Sequence, residues 1–126
     1  MANPKKNILI VEDNTAILDI YKKLCEVKFD AKVFAADNGE TALKIINTEK
    51  LDLILCDLML PTISGFDIIS YLKSDEKFKD IPIIIVSAVA DKGHVKLSII
   101  KGANDFLVKP VPLKIMEEKI ANFLVR

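Results

Sequence analysis

Apolar residues recur along the chain in two alternating rhythms. Ile8-Leu9-Ile10-Val11 is an unbroken run, the pattern of a strand buried on both faces. Beyond it, Ile17, Tyr21, Leu24 and Cys25 share one face of a helix that Asn14 or Thr15 can cap, while Asp19, Lys22, Lys23 and Glu26 turn to water. Residues 31–36 read as a weaker second strand carried by Val33 and Phe34. Turn chemistry at Asp37-Asn38-Gly39-Glu40 leads into a helix on which Ala42, Ile45 and Ile46 line up.

The rhythm repeats three more times. Residues 52–57 form a third strand, and the loop 58–64 carries Pro61, which opposes helix propagation there. Ser64 caps a third helix with Phe66, Ile69 and Leu72 as its buried stripe, and the charged run 75–80 is a solvated turn. Residues 81–86 are the most β-branched segment and form a fourth strand, with Pro82 at its start, where a missing ladder donor does least harm. Asp91 is placed to cap a fourth helix with a thin apolar face, Val95 and Ile99, and Gly102 can end it in the left-handed conformation. A face that thin predicts a loosely packed, movable helix. Residues 106–108 are a short fifth strand, and Pro112 opens a last helix striped by Leu113, Met116, Ile120 and Phe123.

Strand and helix thus alternate without repeat, linker or low-complexity segment. The natural solution is a three-layer, doubly wound α/β sandwich, a (βα)5 unit with a five-stranded parallel sheet and right-handed crossovers. A chain of 126 residues suits one such domain over 1–126, burying roughly two-thirds of the surface its unfolded form exposes. At 51% apolar and 29% charged, the composition excludes a disordered or fibrous chain. Eighteen basic residues balance eighteen acidic ones, so no large field favours nucleic acid or an anionic membrane. Cys25 and Cys56 lack metal or redox spacing and read as buried free thiols, which fits a reducing cytoplasm. The apolar run near the amino end is too short for a signal core or a membrane span.

Polar groups gather where the strands end. Asp57 alone would pass for a turn residue. Yet Glu12 and Asp13 follow the first strand, Ser87 the fourth and Lys109 the fifth, all at the carboxyl edge where open α/β sheets bind ligands. Three carboxylates brought together repel, and an all-oxygen set suits a hard dication such as Mg²⁺. With it bound, one carboxylate can attack a phosphoryl group while Lys109 and Ser87 stabilise charge on the phosphoryl oxygens, giving an aspartyl phosphate.

These residues resemble the receiver domain of two-component response regulators over essentially the whole chain. The resemblance rests on Ile-Val-Glu-Asp-Asn at 10–14, Asp57 with Met59-Leu60-Pro61 and Gly65, Ile-Val-Ser-Ala at 85–88, and Gly-Ala-Asn-Asp-Phe-Leu-Val-Lys-Pro at 102–110. It implies strand order 2-1-3-4-5. It further implies Asp57 as phosphoacceptor, and Mg²⁺ (with Mn²⁺ able to substitute) on Glu12, Asp13, Asp57 and the Met59 backbone carbonyl. Ser87 and Lys109 would grip the phosphoryl group, and Ser87 and Phe106 would form the switch. Partners would be a sensor histidine kinase or a histidine phosphotransfer protein, and a downstream target or output domain met by the fourth helix, fifth strand and fifth helix. On this reading the protein is a phosphoacceptor switch, not an enzyme acting on other substrates, and is a monomer or a phosphorylation-dependent dimer.

Relatives usually carry Asp where Glu12 stands and often Thr at Ser87; both changes keep the functional group. Phe106 lacks tyrosine's hydroxyl, so packing alone separates its two positions, and the small Ala88 is expected to leave it room. Met59 and Val89 are apolar at positions that influence the hydrolytic water, which implies slow self-dephosphorylation. An aspartate-nucleophile phosphatase of the haloacid dehalogenase type would want an acid two residues after its nucleophile, where Met59 stands. A flavin-nucleotide protein would need a hydroxyl- and glycine-rich first loop, whereas Glu12 and Asp13 would repel phosphate. His94 is expected to face solvent without a role, and Gly65 and Gly102 to serve backbone turns. With Met1 just before the first strand and Arg126 just after the last helix, a stand-alone receiver without an output domain is the expectation.

Overall fold

The computed structural model describes residues 5–124; the chain ends bearing Met1 and Arg126 lie outside the described residues. Strands and helices alternate as β1 (Asn7–Val11), α1 (Thr15–Phe29), β2 (Lys32–Ala36), α2 (Gly39–Thr48), β3 (Leu53–Cys56), α3 (Gly65–Lys73), β4 (Ile83–Ser87), α4 (Lys92–Lys101), β5 (Asp105–Val108) and α5 (Leu113–Leu124). All strand pairs are parallel, in the order β2-β1-β3-β4-β5. The register sets Val11 beside Cys56, Cys56 beside Ile85, and Ser87 beside Val108. Their carboxyl ends therefore lie at one level. Ser87 is the last residue of β4 rather than the first beyond it.

The period-two geometry of the strands divides the core into two clusters. Ile8, Ile10, Leu53, Leu55, Ile84, Val86 and Leu107 meet α1 and α5 through Tyr21, Cys25, Met116 and Ile120. Leu9, Val11, Ile54, Cys56 and Ile85 meet α2 and α3 through Ala42, Ile46, Ile68, Ile69 and Leu72. β3 and β4 are buried throughout, while the edge strands β2 and β5 are half-covered, which is why their sequence patterns are weaker. Asn14 caps α1 through Ile17 N–H, Asn38 caps α2, and Ser64 with Asp67 makes a reciprocal capping box on α3.

α4 departs from the expected pattern. Its one fully buried residue is Ser98, whereas Ile99 is 47% and Ile100 68% exposed, and Leu97 is exposed as well. Just beyond Ser98 the chain reverses: Gly102 takes φ 119°, and Ala103 N–H donates to Ser98 O, bringing the helix end close to the core. The contact falls on a small side chain whose hydroxyl is satisfied by the His94 carbonyl at 2.9 Å. Asp91 makes no side-chain cap; its carboxylate meets His94 Nδ1 instead. His94 is not free in solvent but half-buried, stacked on Phe66 of α3 at 6.0 Å between centroids. In α5, Leu113 is exposed and Leu124 closes the buried stripe, because the first turn overhangs the groove beside α1.

Candidate functional site

Three of the polar strand-end residues are held by hydrogen bonds that continue the sheet ladders one step past the strands. Glu12 N–H donates to Ala36 O at 2.9 Å, Asp57 N–H to Val11 O at 2.9 Å, and Lys109 N–H to Ser87 O at 3.0 Å. Each side chain thus leaves a fixed backbone point, the arrangement that gives a site its precision. The Lys109–Pro110 peptide is cis.

The side chains converge. Lys109 Nζ lies 2.6 Å from Glu12 Oε1 and 2.8 Å from Asp57 Oδ2, so one ammonium bridges two carboxylates. Glu12 is 2% exposed and Asp57 7%. Their remaining oxygens accept backbone N–H groups, Glu12 Oε2 from Asn14 at 3.1 Å and Asp57 Oδ1 from Met59 at 3.2 Å. Asp13 is exposed at the mouth, and one oxygen from each of Glu12, Asp13 and Asp57 falls within 4.8 Å of the others. Ser87 is fully buried at the same edge, its Oγ accepting Val89 N–H at 3.2 Å. All five polar strand-end residues predicted from the sequence therefore stand at one end of the sheet.

Burial raises the Glu12 carboxyl above its ordinary range, and the Lys109 and Asn14 hydrogen bonds only partly reverse this. At Lys109, burial pulls the ammonium downward but the bonds to Asp57 and Glu12 outweigh it, and the net shift is upward. The two carboxylates thus favour the protonated ammonium of Lys109, while burial works against the charged form of Glu12. The donor set contains oxygen alone, without His or Cys, and fits a Mg²⁺-sized hard cation.

Phe106 is half-buried against the α2–α3 cluster, with its N–H donating to the Asp105 carboxylate at 2.8 Å. Ala88 is exposed and lines a groove of about 520 Å³ together with Ile17, Tyr21, Lys109 and Pro110. Sequence reading missed the Asn14 and Met59 backbone N–H groups that orient the carboxylates; helix-cap chemistry at Asn14 was the available signal for the first.

A family model described as the response regulator receiver domain matches residues 8–121. The chemotaxis protein CheY of Pseudomonas aeruginosa is 29% identical over 119 residues, 94% of this chain and 96% of that protein. The polar-differentiation response regulator DivK of Brucella anthropi is 32% identical over the same shares. A CheY-like receiver domain protein of Methanospirillum hungatei superposes with a TM-score of 0.88 at 30% identity, covering 94% of this chain and 93% of that one. The chain belongs to the response regulator receiver domain family. Receiver domains are the signalling switches of two-component systems; they work with histidine kinases or phosphotransfer proteins and with output targets, and bind Mg²⁺ at an acidic pocket. No helix among the described residues is long and apolar enough to cross a membrane.

Proposed function

We propose that Asp57 accepts a phosphoryl group from a phosphohistidine of a kinase or phosphotransfer protein. A carboxylate oxygen of Asp57 attacks phosphorus, the P–N bond breaks, and the departing imidazole takes up a proton. The observation that carries this reading is the Lys109 bridge. It holds Asp57 and Glu12 in one place and keeps a positive charge where phosphoryl oxygens would arrive. Glu12, Asp13, Asp57 and the Met59 carbonyl would hold Mg²⁺ or Mn²⁺, and the ion, when bound, supplies charge neutralisation for the phosphoryl oxygens. The Ser87 hydroxyl, once released from Val89 N–H, donates to one of these oxygens.

The switch runs through Ser87 and Phe106 to the surface of α4, β5 and α5. Ile99, Ile100, Val108 and Ile115 are exposed there, an apolar set suited to a target, an output domain or a second phosphorylated copy. The cytoplasm is the compartment where such partners and buried free thiols belong. Residues 1–126 act as one receiver unit, and the sole reaction catalysed is the gain and loss of its own phosphoryl group.

Incubation with Mg²⁺ and a small acyl-phosphate donor, read by mass spectrometry, tests the reading. One base-labile phosphoryl group is expected on wild type and none on Asp57→Asn. Absence of uptake from that donor and from phosphorylated histidine proteins would refute it.

A further inference from the structure

The Lys109 ammonium is bound more closely to Glu12 than to Asp57, 2.6 Å against 2.8 Å. The second oxygen of each carboxylate already accepts a backbone N–H, so no oxygen of the two is left without a donor. A dication at Glu12, Asp13 and Asp57 would need oxygens from this same set. At a site this well covered, two cations sharing both carboxylates would repel with little screening.

We propose that Glu12 is a latch as well as a metal ligand: the Glu12–Lys109 ion pair opens when the cation enters, and the length of Glu12 sets how tightly the cation binds. The inference rests on the assignment of a Mg²⁺ site above and concerns what this chain's own residues do to that site.

The geometry gives the latch its specificity for Glu. The backbone at residue 12 is pinned by the 2.9 Å bond from its N–H to Ala36 O, and Asn14 is pinned by capping α1 through Ile17 N–H. From that fixed origin Glu12 reaches Asn14 N–H with one oxygen and Lys109 with the other. An aspartate would be shorter by one carbon–carbon bond, about 1.5 Å, more than a hydrogen bond tolerates. Asp at this position keeps a carboxylate for the cation while giving up Lys109, which then rests on Asp57 alone. Opening the latch also frees Lys109 from Glu12 at the moment the cation arrives, so charge leaving one carboxylate becomes available beside the acceptor. Glu12 is in this respect a positioning residue for Lys109.

Calorimetric titration with MgCl₂ at fixed ionic strength tests this on wild type, Glu12→Asp, Lys109→Gln and the double variant. Amide NMR spectra check that each is folded. Each single change should tighten Mg²⁺ binding by on the order of tenfold, the scale of one charged hydrogen bond, and Glu12→Asp should add nothing once Lys109 is gone. Unchanged or weaker binding in Glu12→Asp would overturn the latch, as would an equal gain in both backgrounds. In wild type, the Lys109 side-chain NMR signals should move with the same apparent Kd as the Asn14 amide; a Lys109 signal indifferent to Mg²⁺ would also overturn it. Phosphoryl uptake is not a readout, so a protein that shows the latch but takes no phosphoryl group refutes the proposed function alone. Absence of Mg²⁺ binding in wild type and all variants refutes the latch and its site together.

Discussion

Gly65 is pressed against the main chain of Asp57. A β-carbon at Gly65 would stand 2.6 Å from the Asp57 carbonyl oxygen and 2.7 Å from Leu58 Cα, and Gly65 N–H donates to Leu58 O at 2.8 Å. The first turn of α3 thus forms the wall behind the acceptor. The reason for glycine here is close approach, not a turn with positive φ, which among the described glycines is found at Gly102. Gly65→Ala should shift residues 57–58 and destabilise the fold by about 1–3 kcal/mol, the range for overpacking a filled interior. Urea unfolding measures the loss, and phosphorylation by a small acyl phosphate should slow with it.

Met59 is 54% exposed while its N–H holds Asp57 Oδ1. Its side chain offers an incoming water no strong hydrogen bond. Met59→Asn places a donor and acceptor beside the acyl phosphate and should shorten its lifetime roughly tenfold, the rate equivalent of one hydrogen bond gained in the transition state. Decay of phosphorylated protein followed by mass spectrometry gives the answer; an unchanged lifetime would remove Met59 as a determinant.

Phe106 sits half-buried, without a hydroxyl to anchor it in either an inward or an outward position. Exchange between the two is expected before phosphorylation, on the microsecond-to-millisecond scale. Relaxation-dispersion NMR should detect it at Phe106 and at Ser87 and Val89, whose hydroxyl–amide bond must break for Ser87 to move. Flat dispersion profiles at all three would contradict a soft switch.

Burial pushes the Cys25 thiol up to about 12, from an ordinary 9.0, with the Glu26 charge adding to the effect; Cys56 is raised further by burial. The unfolded chain therefore loses these protons first. The stabilising contribution is complete below pH 9 and is lost as pH rises toward 12, by up to about 1.4 kcal/mol per unit for each thiol. Denaturant melts from pH 7 to 10.5 should show a shallower alkaline decline in Cys25→Val than in wild type. In the native protein at neutral pH, both thiols should resist alkylation.

The sequence by itself determined the alternation of elements and the strand ends, because full burial leaves β3 and β4 no tolerance for polar residues and the caps at Asn14, Asn38 and Ser64 act within a few residues. Glu12, Asp13, Asp57, Ser87 and Lys109 were legible for the same reason: each polar residue stands where an apolar run stops. What lies between elements was not legible. The expected apolar face of α4 gave way to Ser98, since the closeness of the helix end to the core is imposed by the reversal at Gly102 and the packing of α3. Above all, the tertiary structure alone decided that one ammonium would bridge Glu12 and Asp57. That bridge depends on three ladder bonds from three strand pairs fixing their starting points within one side chain's reach.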